Sequence, residues 1–257
     1  MTFPKFAVII PATDYKEQKS EEQLTNLLQS IVEWEEKPPI VVCFDACAKK
    51  FIRKFVEKFP FIIVLTHSHQ RLNFARNANI GLEWAHAQGL SAVLVNQDCV
   101  LPGFRTFMQI AAGDIVSTVP TKDNLLTKHI TFTEIRHKFP FFCVYIDKKV
   151  MDKIGYLDGG YISTFEDDDY ITRALLAGFQ PKQSTINVVH EGSHIDSTGD
   201  WESASGSYNA RRLGINLVKY KTKYQVPAAI GHEECIKWIL DEHEWIPEMR
   251  IDAKNIR

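Results

Sequence analysis

Apolar residues in the first hundred positions come in short runs separated by stretches of helical spacing. Residues 6–10 form a continuous apolar run stopped by Pro11, the pattern of a strand buried on both faces. Leu24, Leu27, Leu28, Ile31 and Val32 then recur at helical spacing and end before Pro38-Pro39. Residues 40–44 predict a second buried strand. Phe51 and Phe55 among basic residues predict a short amphipathic helix, and residues 61–65 a third strand. A helix is predicted over 73–88, closed by Gly89, and a fourth strand over 92–95 that runs into Asn96-Gln97-Asp98. Buried strands alternating with helices imply right-handed crossovers and a mainly parallel sheet. Ligands of such sheets lie beyond the carboxyl ends of the strands. That rule points to residues 11–14, Asp45 and residues 96–98.

The second half is less regular. Residues 115–119, 131–135 and 141–146 read as strands that include antiparallel pairing, and residues 186–189 as another. A helix is predicted from Glu166 to just before Gly178. After Gly199 the chain is polar, then helical again through 236–240. No repeat, low-complexity tract or linker divides it, so it reads as one composite α/β domain.

Composition narrows the class further. The 257 residues are 45% apolar and 24% charged, with a formal net charge of −2, which excludes disordered, collagen-like and disulfide-scaffold proteins. A near-neutral balance gives no electrostatic ground for nucleic-acid or membrane binding. The five cysteines (Cys43, Cys47, Cys99, Cys143, Cys235) are odd in number and scattered, with no CxxC pair, as expected of small buried residues in a reducing compartment. No signal-peptide apolar region precedes the first strand, and no apolar run approaches the ~18 residues of a membrane span. A cytoplasmic location is expected.

Three segments carry candidate chemistry. Asp98 ends a buried strand, where a carboxylate can hold a hard divalent cation against a diphosphate; the competing role is a turn aspartate bonded to its own backbone. Glu166, Asp167, Asp168 and Asp169 open a helix, where acids complement the positive helix end and Asp169 can pair with Arg173. Four like charges repel, so a metal, a proton or a substrate hydroxyl is expected to face at least one of them. A carboxylate near a cleft can act as a general base. His190-Glu191-Gly192-Ser193-His194 matches the HExxH zinc-protease pattern as text, but that site needs both histidines on one helix face, and here the motif follows a strand. His190 alone remains open as a metal or phosphate ligand. His232-Glu233-Glu234-Cys235 fits the start of an amphipathic helix. Arg71, Arg76, Arg211 and Arg212 suit phosphate geometry and equally suit surface salt bridges. There is no Walker A motif and no GxGxxG.

Taken in order over about residues 6–223, these segments resemble the GT-A glycosyltransferases, most closely the large inverting family 2. The resemblance is carried by Val8-Ile9-Ile10-Pro11, by Ile40 to Asp45, by Ala75-Arg76-Asn77 with Ile80-Gly81, and by Leu94 to Asp98 with Pro102. Its most specific piece is Ile154-Gly155-Tyr156-Leu157-Asp158 leading into Phe165 to Tyr170, Arg173 and Gly178; His190 before Gly192-Ser193 completes the set. The resemblance implies an α/β GT-A (Rossmann-like) fold over residues 1–225, with a mixed, mainly parallel sheet flanked by helices, and a C-terminal helical extension over 226–257 packed on it.

It also implies a metal-dependent inverting hexosyltransferase with a nucleotide-sugar donor, a UDP-sugar favoured, and Mn2+ or Mg2+ as cofactor. By position, Asp45 would read the nucleotide base, and Pro11, Ala12 and Asp14 would line the nucleoside pocket. Arg76 would lie near the diphosphate or orient the metal-site carboxylate. Asn96 and Gln97 stand in the DXD motif, whose metal-binding acid is Asp98, and His190 would complete the metal site. Asp167 takes the place of the catalytic base, with Glu166 beside it. The sequence departs from the pattern in two places. The DXD motif keeps one carboxylate. The stretch Ala46-Cys47-Ala48-Lys49-Lys50 replaces the usual small polar turn and offers a basic pair to phosphate. A nucleotide-sugar nucleotidyltransferase would want a glycine-rich basic loop, absent from residues 11–20, and a non-catalytic nucleotide- or glycan-binding relative is favoured by the reduced DXD motif alone. The acceptor (glycan, lipid-linked sugar, protein or modified nucleic acid) and the oligomeric state are left open.

Overall fold

Because the first strands are covered on both faces, their residues are apolar without alternation. In β1 (Phe6–Ala12), Phe6, Val8, Ile10 and Ala12 point to one core with α1 (Glu17–Val32) and α2 (Lys49–Lys58), while Ala7 and Ile9 point to a second core with α3 (Phe74–Ala87). We describe the protein from a computed structural model that covers residues 5–14, 17–66, 73–122, 129–134, 139, 141–161, 165–191 and 206–252, with the side chains of 206–213 outside the description. The remaining elements are β2 (Ile40–Phe44), β3 (Ile62–Thr66), β4 (Ser91–Val95), β5 (Cys99–Val100), α4 (Phe104–Phe107), β6 (Ile115–Thr121), β7 (Phe132–Glu134) and β8 (Cys143–Ile146). They are followed by α5 (Lys148–Ile154), α6 (Glu166–Leu176), β9 (Pro181–His190), α7 (Gly206–Lys223) and α8 (His232–Glu242).

The described strands form one sheet in the order β3-β2-β1-β4-β8-β6-β9-β5, with β7 also paired to β9. Strands β1 to β4 are parallel, β8 runs antiparallel between β4 and β6, and β6 pairs parallel with β9. The expected mixed, mainly parallel α/β sheet is therefore present, antiparallel insertion included. No helix among the described residues is long and apolar enough to cross a membrane. The five cysteines are free, and all but Cys47 are buried.

Two expectations need correcting. Pro11 does not stop the first strand but continues it, opposite Cys43. Val8 N–H and Ala12 C=O both bond toward β2, so the alternate residue Pro11 points toward β4, whose pairing ends at Ile9. The missing N–H therefore has no partner to lose. The polar stretch after residue 199 contains α7, whose buried stripe of Asn216 and Tyr220 is continued by Tyr224 just after the helix, while Ile215 and Val218 are exposed. A stripe of amide and phenol groups at i, i+4, i+8 carries little apolar signal, which is why the helix was not expected.

Helix α3 is held to the sheet and to the loop before α6 by three asparagines. Asn77 donates to Cys43 C=O at 3.0 Å, Asn79 exchanges two hydrogen bonds with the Leu157 backbone, and the N-cap Asn73 donates to Gly159 and Tyr161 carbonyls. The helix lies so close to the strands that a Cβ on Gly81 would overlap Ile9 and sit 2.8 Å from Cys43 Sγ. Gly81→Ala should therefore lower stability by ~1–3 kcal/mol through overpacking, read as a drop in thermal midpoint. An unchanged midpoint would refute this close approach.

Candidate active site

The loops after β1, β2 and β4 meet at the carboxyl edge of the sheet, where the topology rule placed a ligand. Thr13 N–H donates to Gln97 Oε1 at 2.7 Å, Asp45 N–H to Ala12 C=O at 2.9 Å, and Ala48 N–H to Asp14 Oδ2 at 2.9 Å. Pro11 and Ala12 form the buried end of β1, and Asp45 is buried at the end of β2. Asn96 N–H donates to Phe142 C=O at 2.8 Å. Ala46 takes the left-handed conformation (φ 48°) that the expected glycine-type turn would provide, at a cost of ~1–2 kcal/mol. The basic pair beside it lies at the start of α2, and Lys50 is paired with Glu17 at 3.2 Å on the outer surface.

The structure brings Asp98 and His190 together from distant parts of the chain. The chain turns after β4, and β5 then pairs antiparallel with the end of β9, setting Cys99 opposite His190. Asp98 Oδ1 lies 3.4 Å from His190 Nε2, and Asp98 C=O accepts from Glu191 N–H at 3.0 Å. The imidazole is fixed by stacking on Phe142, centroids 4.7 Å apart and planes inclined by 15°. Ligand atoms of Asp98, Cys99 and His190 lie within 4.8 Å of one another. Burial first, with the nearby Asp98 charge, pushes the Cys99 thiol well above its ordinary range, and the thiol donates to Phe142 C=O. Half-buried carboxylate and imidazole donors fit a borderline-hard divalent cation with positions left for other oxygen ligands, and the Cys99 thiol adjoins them. Because His190 ends a strand, the helix-borne HExxH site is excluded. His194, Gly192, Ser193 and Arg71, and the side chains of Arg211 and Arg212, lie outside the described residues.

The four acids at the start of α6 have four different environments. Phe165 precedes them in the left-handed conformation (φ 71°) and gives the helix no side-chain cap. Glu166 is buried. Asp167 is half-buried and its carboxyl is pushed up to about 6, by burial first and then by the Asp168 charge, against backbone N–H groups and His232. Asp168 Oδ2 meets His232 Nε2 at 3.0 Å, and this bond raises the imidazole above its ordinary value. Asp169 is fully buried and accepts from Arg173 Nε at 2.8 Å, Lys223 Nζ at 2.6 Å and Tyr224 OH at 2.9 Å. Burial opposes its ionisation, but Arg173 and Lys223 outweigh it and hold the carboxyl below the usual range. Arg76, exposed at the start of α3, donates from Nε to Gly159 C=O at 3.1 Å, so it belongs with the loop preceding α6. Asp158 in that loop is held at about 2: burial works against the charged form, but Lys223, the Gly160 N–H and Lys219 prevail.

The sequence reading missed His232, which it placed at a helix start without a role, Lys219 and Lys223 on α7, and Tyr224 just after it. Each becomes visible only when the C-terminal helices are packed on α6. A cleft of about 570 Å3, lined among others by Trp34, Leu101, Phe104 and Val189, contains none of the predicted site residues.

No protein-family model matches the sequence, and no curated protein matches it. Solved structures do. TarS residues 1–349 of S. aureus in complex with UDP-GlcNAc is similar with a TM-score of 0.58 and 17% identity, over 93% of this chain and 71% of that one. The mannosyltransferase PcManGT from Pyrobaculum calidifontis, in complex with GDP-Man and Mn2+, gives 0.54 and 15%, over 74% of this chain and 57% of that one. GalNAc-T7 with UDP, GalNAc and Mn2+ gives 0.57 and 11%, over 73% and 44%. Against another structure of TarS 1–349, the chain spans 57% of that chain's length. At these identities the likeness establishes the fold, that of the GT-A-type glycosyltransferases.

Removing the buried carboxylate should be severe. Asp169→Asn leaves Arg173 short of its counter-charge and should cost ~3–5 kcal/mol, measured by urea unfolding near neutral pH. Because the folded-state carboxyl is held below its unfolded value, its contribution is present above the usual carboxylate range and is lost as pH falls through the lowered value. The gap between wild type and Asp169→Asn should therefore narrow below about pH 4. A gap independent of pH would contradict the assignment.

Proposed function

We propose that the protein transfers a sugar from a nucleotide-sugar donor to an acceptor hydroxyl with inversion at the anomeric carbon. Asp98 and His190 hold a divalent cation, and Asp167 is the general base. The observation that carries this reading is the 3.4 Å approach of Asp98 to His190 at the carboxyl edge of a sheet shared with solved glycosyltransferases. Mn2+ or Mg2+ held there would supply a Lewis acid and counter-charge for a departing nucleoside diphosphate; the Mn2+ in two of the similar structures supports a divalent metal. Asp45, with Pro11, Ala12 and Asp14, forms the nucleoside end of the site, and Asn96 and Gln97 line its edge toward Asp98. UDP-GlcNAc, UDP and GDP-Man in the similar structures support a nucleoside-diphosphate sugar, and a UDP-sugar is the favoured donor.

In the transfer step the acceptor oxygen bonds to the anomeric carbon as the bond from that carbon to the diphosphate oxygen breaks. Asp167 takes the acceptor proton. A carboxyl at about 6 is ionised at neutral pH yet more basic than an ordinary aspartate, which suits this task. Glu166 beside it shapes the same helix end, and Arg76 steadies the loop before it. In this reading residues 1–225 are the transferase domain and residues 226–257 the extension packed on it.

A thermal-shift screen of UDP-, dTDP-, GDP- and CMP-sugars with and without Mn2+, followed by a donor-hydrolysis assay, tests the proposal. A donor at a hundredfold excess over its Kd should stabilise by ~2.7 kcal/mol, roughly 5–10 °C. Asp98→Ala should abolish the metal-linked part, and Asp167→Asn should keep donor binding and lose turnover. If no donor gives metal-linked stabilisation, the transferase reading fails.

A further inference from the structure

We propose that His232, on the C-terminal helix α8, is a positioning residue for Asp167: its bond to Asp168 anchors the strained first turn of α6 and offsets the charge beside the base. The proposal rests on the reading of Asp167 as the general base.

The start of α6 cannot hold itself. Phe165 occupies the N-cap position in the left-handed region, unfavourable for a bulky side chain by ~1–2 kcal/mol, and offers no capping oxygen. Four acids follow, and like charges in one turn repel. Such a turn persists only where its surroundings over-determine it. Here they come from the C-terminal helices. The Phe165 ring is packed against His232 at 4.6 Å and Tyr220 at 5.6 Å, with Tyr161 at 6.5 Å on its own loop. His232 then closes the clamp by hydrogen bonding to Asp168 at 3.0 Å. One side chain therefore touches both the residue that carries the strain and the acid next to the base.

His232 is the first residue of α8, where a positive charge is unfavourable for that helix. Its charge is instead matched by the acids it faces: Asp168 in contact, with Asp167 and Glu233 nearby. Among the described residues, Tyr220 of α7 and Cys235 of α8 also face Asp168, and Lys221 acts on Cys235. Asp168 pushes Asp167 toward its protonated form and His232 pulls the other way. The two partners thus act on the base with opposite signs.

The test is the pH dependence of donor turnover, with kcat and KM separated, using the nucleotide sugar and metal chosen by the thermal screen. Wild type should lose kcat below about pH 6. His232→Ala should shift this limb upward by ~0.5–1 unit and, through the loosened first turn, lower the plateau kcat above the limb by roughly three- to tenfold, with donor KM within about twofold. Asp168→Asn should shift the limb downward. His232→Gln, which can keep the hydrogen bond without the charge, should recover most of the kcat but not the limb. A carboxyl-carbon NMR titration of Asp167 in the same variants reads the shifts without turnover, and serves if one variant turns over poorly. Coincident limbs and titrations in wild type and His232→Ala, or shifts of the same sign in His232→Ala and Asp168→Asn, overturn the proposal. Full turnover by Asp167→Asn would instead sink the base assignment itself, so the two failures are distinguishable.

Discussion

A guanidinium with no exposed surface is the constraint on which this end of the molecule depends. Arg173 spends its donors on Asp169 Oδ2, on Ile154 C=O at 2.7 Å and on Tyr156 C=O at 2.8 Å. An arginine taken wholly out of water costs several kcal/mol unless every donor is met, so these partners must all be in place together. They lie on α6 and at the end of α5 and the turn after it, and Asp169 extends the set to Lys223 and Tyr224 at the end of α7. The same turn is braced from behind by the 250–252 segment: Tyr156 N–H donates to Ile251 C=O, and Ile251 N–H to Ile154 C=O. Gly155, at φ 75°, is where the two strands of chain pass too closely for a side chain. One ion pair therefore fixes how three stretches of chain converge, and with them the rotation of α6.

That rotation has a chemical consequence. At about 100° per residue, holding Asp169 inward turns Asp167 some 200° around the helix, to the other side. The buried pair does not touch the candidate base but determines which way it can face. At the opposite border of the site the sheet edge is fixed differently, by backbone-to-side-chain bonds among the loops after β1, β2 and β4. Of the three described non-glycine residues with positive φ, Ala46 adjoins Asp45 and Phe165 adjoins Glu166. Strain of this sort survives only in over-determined surroundings, and both positions border residues assigned to donor binding or proton transfer. The third, Gln225, follows α7 at the point where the chain leaves the acid cluster.

The parallel half of the fold was readable because β1, β2 and β4 are covered on both faces and so are written as uninterrupted apolar runs. Pro11 misled because a missing donor matters only where a neighbouring strand would accept from it, and β4 has already turned away. Helix α7 escaped notice since its fully buried positions are Asn216 and Tyr220, with Tyr224 just beyond its end, rather than aliphatic residues. Within the site, the order of segments sufficed to nominate Asp98 and His190, yet their approach depends on a two-residue strand, β5, that no periodicity could reveal. Asp167, Asp168 and Asp169 are the same letter three times over; nothing in the sequence separates the salt-bridged anchor from the candidate base. The separating groups, Arg173, Lys223 and His232, reach them from one turn to more than fifty residues further on.

The run of acids at α6 thus resolves into a division of labour set by counter-charge. Asp169 is neutralised from inside by Arg173 and Lys223, and Asp168 from the C-terminal side by His232. Asp167 accepts the Asp168 N–H at 2.9 Å, and among the described residues no cation lies within ion-pair distance of it. Burial and a neighbouring negative charge then raise its affinity for a proton, which is the opposite of what the same side chain experiences two positions later. A single carboxylate isolated in this way can cycle between ionised and protonated forms at little structural cost, because the fold's ion pairs are made by its neighbours. At the other border Asn96-Gln97-Asp98 holds a single carboxylate: Gln97 ties the loop after β4 to the loop after β1, and Asp98 faces His190.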